Sequence, residues 1–119
     1  MVYSIGEFSK MVGISIDTLR YYEKEGLITP ARDAADRRVY SEADRHWVTV
    51  IKRLKLAGMP IREIQQYTQL RSQGDDTIDQ RLALLLKQQE RLLAKRQELD
   101  GHIAFLENKI QTYRHLQQK

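Results

Sequence analysis

The chain contains no cysteine. It therefore forms neither disulfides nor thiolate metal sites, and it has no thiol with which to sense oxidants or electrophiles. No apolar run approaches the roughly 20 residues that a membrane-spanning helix needs. The N-terminus lacks the basic-then-apolar pattern of a signal peptide. These absences favour a cytoplasmic protein with no membrane partner.

The usual signs of a catalytic or cofactor site are also missing. The three histidines, His46, His102 and His115, do not have the spacing of metal ligands. Each glycine stands alone, so there is no glycine-rich loop for phosphate. No nucleophile is paired with a general base, and most carboxylates have Lys or Arg at helical spacing, as on an ordinary surface. We therefore expect no enzyme activity, no metal and no cofactor.

Positive charge is only modestly in excess, at +4 for 119 residues. Residues 1–76 hold 12 Lys and Arg against 11 Asp and Glu, whereas residues 32–55 hold 7 against 4. A phosphate-binding surface must then be a local patch, because the net charge is too small to account for binding. A solvated surface without a partner is the alternative explanation of the same charges.

Capping residues and glycine stops divide the sequence into helices. Hydroxyl residues suited to helix N-caps occur at Ser4, Ser15, Ser41 and Thr77. The pattern predicts helices at 5–12, 16–25, 42–57, 61–72 and 77–116, with a hairpin at about 27–40. The first two helices are short and about three residues apart, which is helix-turn-helix spacing. A polar break at 74–76 separates a domain at 1–74 from a helix-forming segment at 75–119.

The apolar positions of these elements predict one small core in the first domain. The expected core residues are Ile5, Phe8, Val12, Ile14, Leu19, Tyr22, Leu27, Ile28, Trp47, Val50, Ile51, Leu54, Ile64 and Leu70. The fold class predicted for the chain is therefore mainly α.

The second helix has the composition of a recognition helix. Thr18, Arg20 and Tyr21 lie on its first two turns, the part that reads bases in a major groove. A guanidinium matches guanine edges and phosphate oxygens, and tyrosine hydroxyls can donate to phosphate. We predict DNA contacts at these residues and at Tyr22. Because Tyr22 follows Leu19 by three residues, we also expect it to be partly core.

The hairpin adds Arg37, Arg38 and Tyr40 beside this helix. A helix and a basic hairpin together predict a reader of duplex DNA, with the helix in the major groove and the hairpin on the phosphates. Neighbouring strand residues point to opposite faces. One arginine can then reach phosphate while the other braces the sheet or pairs with Asp33 or Asp36. The alternative is that both are exposed charges that only aid solubility.

Apolar residues recur at alternating spacings of four and three along the last segment. This seam comprises Ile78, Leu82, Leu85, Leu92, Leu99, Ile103, Leu106, Ile110 and Tyr113, with Gln89 and Arg96 as polar interruptions. The spacing is typical of a coiled coil. A helix of this length spans roughly 58 Å and outruns a small domain. We predict that the seven apolar residues from Leu82 to Ile110 pack against a second copy. An amphipathic helix lying on its own core is the alternative.

Three motifs of the first domain resemble the MerR family of bacterial transcription regulators. They are residues 4–9 (SIGEFS), 18–28 (TLRYYEKEGLI) and 37–40 (RRVY). The resemblance implies a winged helix-turn-helix followed by an antiparallel coiled coil. It also implies a homodimer that binds a pseudo-palindrome in a promoter and distorts the spacer, so that RNA polymerase is affected indirectly through the DNA.

The resemblance assigns DNA contacts to particular residues. They are Arg20 and Tyr21 in the recognition helix, Arg37 or Arg38 and Tyr40 in the wing, and a second region at 59–62 that includes Arg62. A coiled-coil adaptor whose N-terminal domain binds protein is the alternative function.

Two departures from the family pattern are informative. The wing tip commonly carries Asn-Gly, whereas here it is Ala35-Asp36, which disfavours a type I′ turn and favours a wider or differently shaped wing. The cysteines of the metal-sensing branch are absent. Residues 58–113 look closest to the aldehyde- and electrophile-responsive branch, but the comparable place for its cysteine is Arg53 here, so thiol sensing is not available.

Overall fold

The computed structural model describes residues 1–119 and is mostly helical. In chain order the elements are β1 (Tyr3–Ser4), α1 (Ile5–Val12), α2 (Ile16–Lys24), β2 (Ala31–Arg32), β3 (Arg38–Tyr40), α3 (Glu42–Leu56), α4 (Ile61–Ser72), a 3₁₀ turn (Asp75–Thr77) and α5 (Ile78–Gln117). The predicted mainly α fold with a winged helix-turn-helix and a long C-terminal helix is confirmed. Every predicted helix limit lies within one residue of the observed one.

The helix-turn-helix is fixed by local caps. The Ser4 hydroxyl accepts from the Glu7 amide, and the Glu7 carboxylate accepts in return from the Ser4 amide, which completes a capping box for α1. Ser15 caps α2 by accepting from the Thr18 amide at 3.1 Å. Between the helices Gly13 has a φ of +68°, a left-handed conformation that glycine adopts without steric cost. These contacts explain why the helix limits can be read from sequence.

The wing is a small antiparallel sheet of strand order β1-β3-β2. Tyr3 pairs with Tyr40 across β1 and β3, and Arg32 pairs with Arg38 across β2 and β3. The sequence did not predict β1, because two residues are too few to show an alternating pattern. β3 is the middle strand, so it ties the wing to the chain that enters α1.

Twelve apolar side chains form the core of the N-terminal region. They are Phe8, Ile14, Leu19, Tyr22, Leu27, Ile28, Tyr40, Trp47, Val48, Ile51, Met59 and Ile64. The Phe8 and Tyr40 rings stack with centroids 4.4 Å apart. The Trp47 ring stacks on Tyr67, and its indole N–H donates to the Leu27 carbonyl at 2.7 Å. Both the wing and α3 are therefore anchored by aromatic side chains.

The predicted core needs correction on α3 and α4. Val50 is 39% exposed, whereas Val48 is fully buried in its place. The inward face of α3 is set by Trp47, Val48 and Ile51, and Val50 points away from it. Leu70 is only half-buried.

The junction before α5 differs from the predicted helix cap. The Thr77 hydroxyl lies 2.6 Å from the Leu70 carbonyl oxygen and 2.8 Å from that of Gly74, so it donates backwards instead of capping α5. Arg81 in turn donates to the Thr77 hydroxyl and to the Gly74 carbonyl. Gly74 has a φ of +97°, which side-chain-bearing residues rarely adopt. The end of α4 therefore gains hydrogen-bond donors that a simple N-cap prediction misses.

The chain divides into two compact units, Met1–Leu84 and Leu85–Lys119. The predicted boundary after residue 74 lies ten residues earlier than this one. The reason is that Leu84 packs against the core, so the first turns of α5 belong to the N-terminal unit. The second unit is the remainder of the α5 helix. None of the helices combines the length and apolar character that crossing a bilayer requires.

Candidate nucleic-acid interface

Helix α2 places its two adjacent tyrosines in different environments, one exposed and one buried. Leu19 is fully buried and Tyr22 is 3% exposed, whereas Tyr21 is 42% exposed and Arg20 is exposed beside it. The expectation that Tyr22 is partly core is confirmed. Because its ring faces inward, we leave Tyr22 out of the DNA contacts proposed below. Thr18 is half-buried, and its hydroxyl accepts from the Ser15 hydroxyl at 2.9 Å.

Lys55 of α3 lies beside the recognition helix and was not predicted as a site residue. Its Nζ lies 5.3 Å from the ring centroid of Tyr21 and 5.3 Å from that of Tyr22. A cation at this distance is attracted to the ring faces. Lys55 thus brings positive charge to the exposed Tyr21 side chain. Nothing in the local sequence indicates this contact, because the two residues are 34 positions apart on different helices.

One carboxylate joins the recognition helix to the wing. Glu23 of α2 accepts from Arg38 Nε on one oxygen and from Arg32 Nη2 on the other, the latter at 3.2 Å. The hydrogen bond from Arg38 to Glu23 raises the pKa of the Arg38 guanidinium. The sequence predicted that one hairpin arginine braces the sheet. The brace is Arg38, and its partner is Glu23 rather than Asp33 or Asp36.

The other hairpin arginine points into solvent at the wing tip. Asp33 Oδ1 accepts from the Ala35 and Arg37 amides at 2.9 Å each, and Oδ2 accepts from Arg37 Nε at 3.2 Å. These bonds, led by the Arg37 amide, hold the pKa of the Asp33 carboxyl below its usual range. The Arg37 side chain is nevertheless 78% exposed.

The shape of the wing tip agrees with the predicted departure from a type I′ turn. The Asp33 amide donates to the Arg37 carbonyl at 2.9 Å, which closes a three-residue loop. Asp36, the last residue of that loop, has a left-handed φ of +62°. A three-residue hairpin loop ends in this conformation. Aspartate takes here the place that glycine most often fills.

Tyr40 lies in the core and not on the exposed surface of the wing. It is 1% exposed, and its hydroxyl is enclosed without a hydrogen-bond partner. Burial raises the pKa of this phenol, and the nearby Glu23 charge adds to the effect. We therefore do not include Tyr40 among the proposed DNA contacts.

Arg62 is exposed on the first turn of α4, close to the end of the recognition helix. It lines a groove with Glu25 and Gly26, the residues that follow α2. Gln65 holds this end in place by donating to the Glu25 carbonyl at 2.9 Å. Met59, in the same predicted contact region, is 4% exposed and belongs to the core.

A helix-turn-helix with an exposed second helix, braced against a basic hairpin, defines a winged helix-turn-helix DNA-binding protein. Residues 3–70 match the model of the MerR HTH family regulatory proteins, and residues 45–107 match that of the MerR DNA-binding region. The chain belongs to the MerR family and is a transcriptional regulator.

Similar proteins share most of its length. An uncharacterized HTH-type transcriptional regulator of Haemophilus influenzae is 33% identical over 114 residues, which are 95% of this chain and 84% of the relative. The structure of HiNmlR, a MerR family regulator lacking the sensor domain and bound to promoter DNA, is 33% identical with a TM-score of 0.78. That match covers 96% of this chain and 91% of HiNmlR. A MerR family regulator from Bacillus thuringiensis is 33% identical with a TM-score of 0.75, and the match covers 92% and 97%.

Replacing Tyr40 by phenylalanine tests the buried hydroxyl. Tyr40→Phe keeps the stacked ring and removes a polar group that lacks a partner, so the free energy of unfolding should rise by about 1 kcal/mol. Urea unfolding followed by the fluorescence of Trp47, the single tryptophan, measures the change. Tyr3→Phe is the control, because the Tyr3 hydroxyl does donate, to Glu42, and its loss should not stabilise. A destabilised Tyr40→Phe variant would contradict the assignment.

The wing turn should weaken in acid. The pKa of Asp33 is lowered in the folded state, so its contribution to stability is present above the ordinary aspartate value, about 3.9. The contribution is lost as pH falls through the lower folded value. The wild type should therefore exceed Asp33→Asn in unfolding free energy at pH 7, and the difference should be smaller at a pH below the ordinary aspartate value. Urea titrations at both pH values measure this, with Asp36→Asn as the neighbouring control. A difference independent of pH would exclude the mechanism.

Proposed function

We propose that this regulator binds a pseudo-palindromic promoter site as a homodimer and distorts the DNA spacer between the promoter elements. The observation that carries the proposal is the bridge from Glu23 to the wing. Arg20 and Glu23 are three residues apart and so are neighbours on one face of α2. The exposed recognition helix and the basic wing are thereby held side by side, as a groove-reading helix and a backbone-gripping hairpin require.

Each exposed residue has a role in this proposal. Arg20 and Thr18 lie towards the start of α2 and read base edges, while Tyr21 donates to a phosphate. Lys55 adds its charge next to Tyr21, and Arg37 contacts a phosphate from the wing tip. Arg62 reaches a phosphate at the far end of the recognition helix. Arg38 acts as a brace, because its guanidinium is engaged with Glu23.

The seam on α5 supports the dimer. Its seven predicted dimerisation residues are between 37% and 58% exposed: Leu82, Leu85, Leu92, Leu99, Ile103, Leu106 and Ile110. An exposed apolar stripe of this kind, interrupted only at Gln89 and Arg96, marks an interaction surface. Its burial would release a gross free energy of about 10–20 kcal/mol, which offsets the cost of association. An antiparallel coiled coil, which the family resemblance implies, would hold the DNA-binding units of the two protomers at a fixed distance from each other.

Distortion of the spacer gives the dimer its effect on transcription. Bending a duplex site of roughly 20–30 base pairs costs about 1–6 kcal/mol, which contacts from two DNA-binding units can offset. RNA polymerase would respond to the altered spacing of the promoter elements and need not touch the regulator. The structure of HiNmlR bound to promoter DNA supports DNA binding by this chain too. The protein would act in the cytoplasm, where the promoter lies, without catalysing a reaction.

Selection from random duplexes tests DNA binding. The wild type should enrich an inverted repeat, and Arg20→Ala should weaken binding to the enriched duplex by about 1–3 kcal/mol if it reads a base. Titration of the enriched duplex measures the loss of affinity. Titration of a duplex in which one enriched base pair is replaced shows whether Arg20 reads that base. Arg45→Ala is the control, because Arg45 is an exposed arginine on α3, outside the proposed contacts. Failure to enrich any sequence would favour the protein-binding adaptor instead.

Sedimentation tests the dimer. Leu99→Asp places a charge in the apolar seam, so it should convert a wild-type dimer into a lone protomer at micromolar concentration. Gln97→Asp introduces the same charge two positions away, off the seam, and should remain a dimer. A wild-type protomer that stays single, with or without the enriched duplex, would contradict the proposal.

A further inference from the structure

We propose that Glu23 is a positioning residue for DNA recognition, which rests on the DNA binding proposed above. It holds the wing against the recognition helix by bridging two like-charged residues, Arg32 and Arg38. The distance between Arg20 on the helix and Arg37 on the wing tip is thereby fixed. Glu23 itself contacts no DNA.

The geometry supports a single linking point. Arg32 and Arg38 are directly paired across β2 and β3. Both guanidiniums converge on the Glu23 carboxylate, one on each oxygen. Arg32 also donates through Nη1 to the Asp36 carbonyl at 3.2 Å. The carboxylate is therefore connected to both strands and, through Arg32, to the turn that presents Arg37.

Electrostatics explains why the bridge matters for the position of the wing. Like charges directly opposite in an antiparallel pair repel each other. Glu23 lies against both charges and compensates this repulsion. The side chains of Glu23 and Arg38 are only 25% and 30% exposed, so solvent screens them less than a surface ion pair. Without the carboxylate, two uncompensated cations would remain beside α2 and the hairpin would lose its attachment.

The sign of the expected effect separates positioning from simple charge. Glu23 adds a negative charge near a surface proposed to bind phosphate. If it acted by charge alone, its removal would tighten DNA binding, because repulsion of the phosphates would fall. If it positions the wing, its removal should weaken binding although the protein becomes more positive.

The first experiment needs no DNA. Trypsin cleaves after arginine, and the wing carries three of them, at positions 32, 37 and 38. A released wing should be cut faster, so Glu23→Gln should be cleaved there at least about tenfold faster than the wild type. Asp17→Asn is the matched control, because it removes the same charge from an exposed position on the same helix and should not change the rate.

The second experiment measures affinity for the enriched duplex across a range of salt concentrations. Glu23→Gln should bind about tenfold more weakly, and the slope of log K against log salt should become shallower by about 0.9 for each phosphate that the wing no longer neutralises. Asp17→Asn should bind as tightly as the wild type or more tightly, with an unchanged slope. A variant that was merely less folded would have less active protein but keep the wild-type slope.

The outcomes are separable. Equal cleavage rates for Glu23→Gln and Asp17→Asn, or equal or tighter DNA binding by Glu23→Gln with an unchanged slope, would overturn the positioning role. A wild type that binds no duplex would overturn the proposed function, while proteolysis would still decide whether Glu23 secures the wing. If thermal melting shows that Glu23→Gln does not fold, Glu23→Asp is used. Its shorter side chain keeps the charge but cannot span both arginines, so both effects should keep their direction.

Discussion

The stack of Phe8 on Tyr40 is the contact on which the N-terminal unit depends. Phe8 belongs to the first helix of the helix-turn-helix, and Tyr40 ends the middle strand of the wing. Both side chains are at most 1% exposed, and their rings are nearly parallel. Because β3 carries both neighbouring strands, a displaced Tyr40 would move the whole sheet relative to the helices. The stack thus sets where the wing lies, and the bridge through Glu23 holds its arginines beside the recognition helix.

The parts of the fold that depend on neighbouring residues could be predicted from sequence. The caps at Ser4, Ser15 and Ser41 satisfy amides within three residues, so their helices begin where expected. The parts that depend on distant residues could not be predicted. The hydroxyl of Thr77 finds carbonyls on the preceding turn, and β1 exists only because β3 passes beside it. Neither contact leaves a periodic pattern in the sequence.

The predicted DNA-contact residues were hardest to assign where a side chain has both polar and apolar character. A tyrosine near a basic hairpin fits a phosphate contact and a core position equally well. Tyr21, Tyr22 and Tyr40 have the same side chain, yet only Tyr21 is exposed, because burial depends on which helix face or strand meets the core. The same is true of charge. Arg37 and Arg38 are adjacent and each pairs with a carboxylate, but Arg38 reaches across to Glu23 of α2, whereas Arg37 pairs with Asp33 inside the wing turn and stays 78% exposed.

The small net charge gives the second unit its importance. The first 76 residues are nearly neutral, so one DNA-binding unit has little net positive charge with which to attract DNA. Linking two such heads converts the second binding event into an intramolecular one, which can raise affinity by about 10²–10⁴ without new contacts. This gain requires a separation that matches the spacing of two half-sites. A stiff helix dimer maintains such a separation and a flexible linker does not. In the proposed dimer, the apolar seam of α5 therefore compensates for the weak charge of the DNA-reading surface.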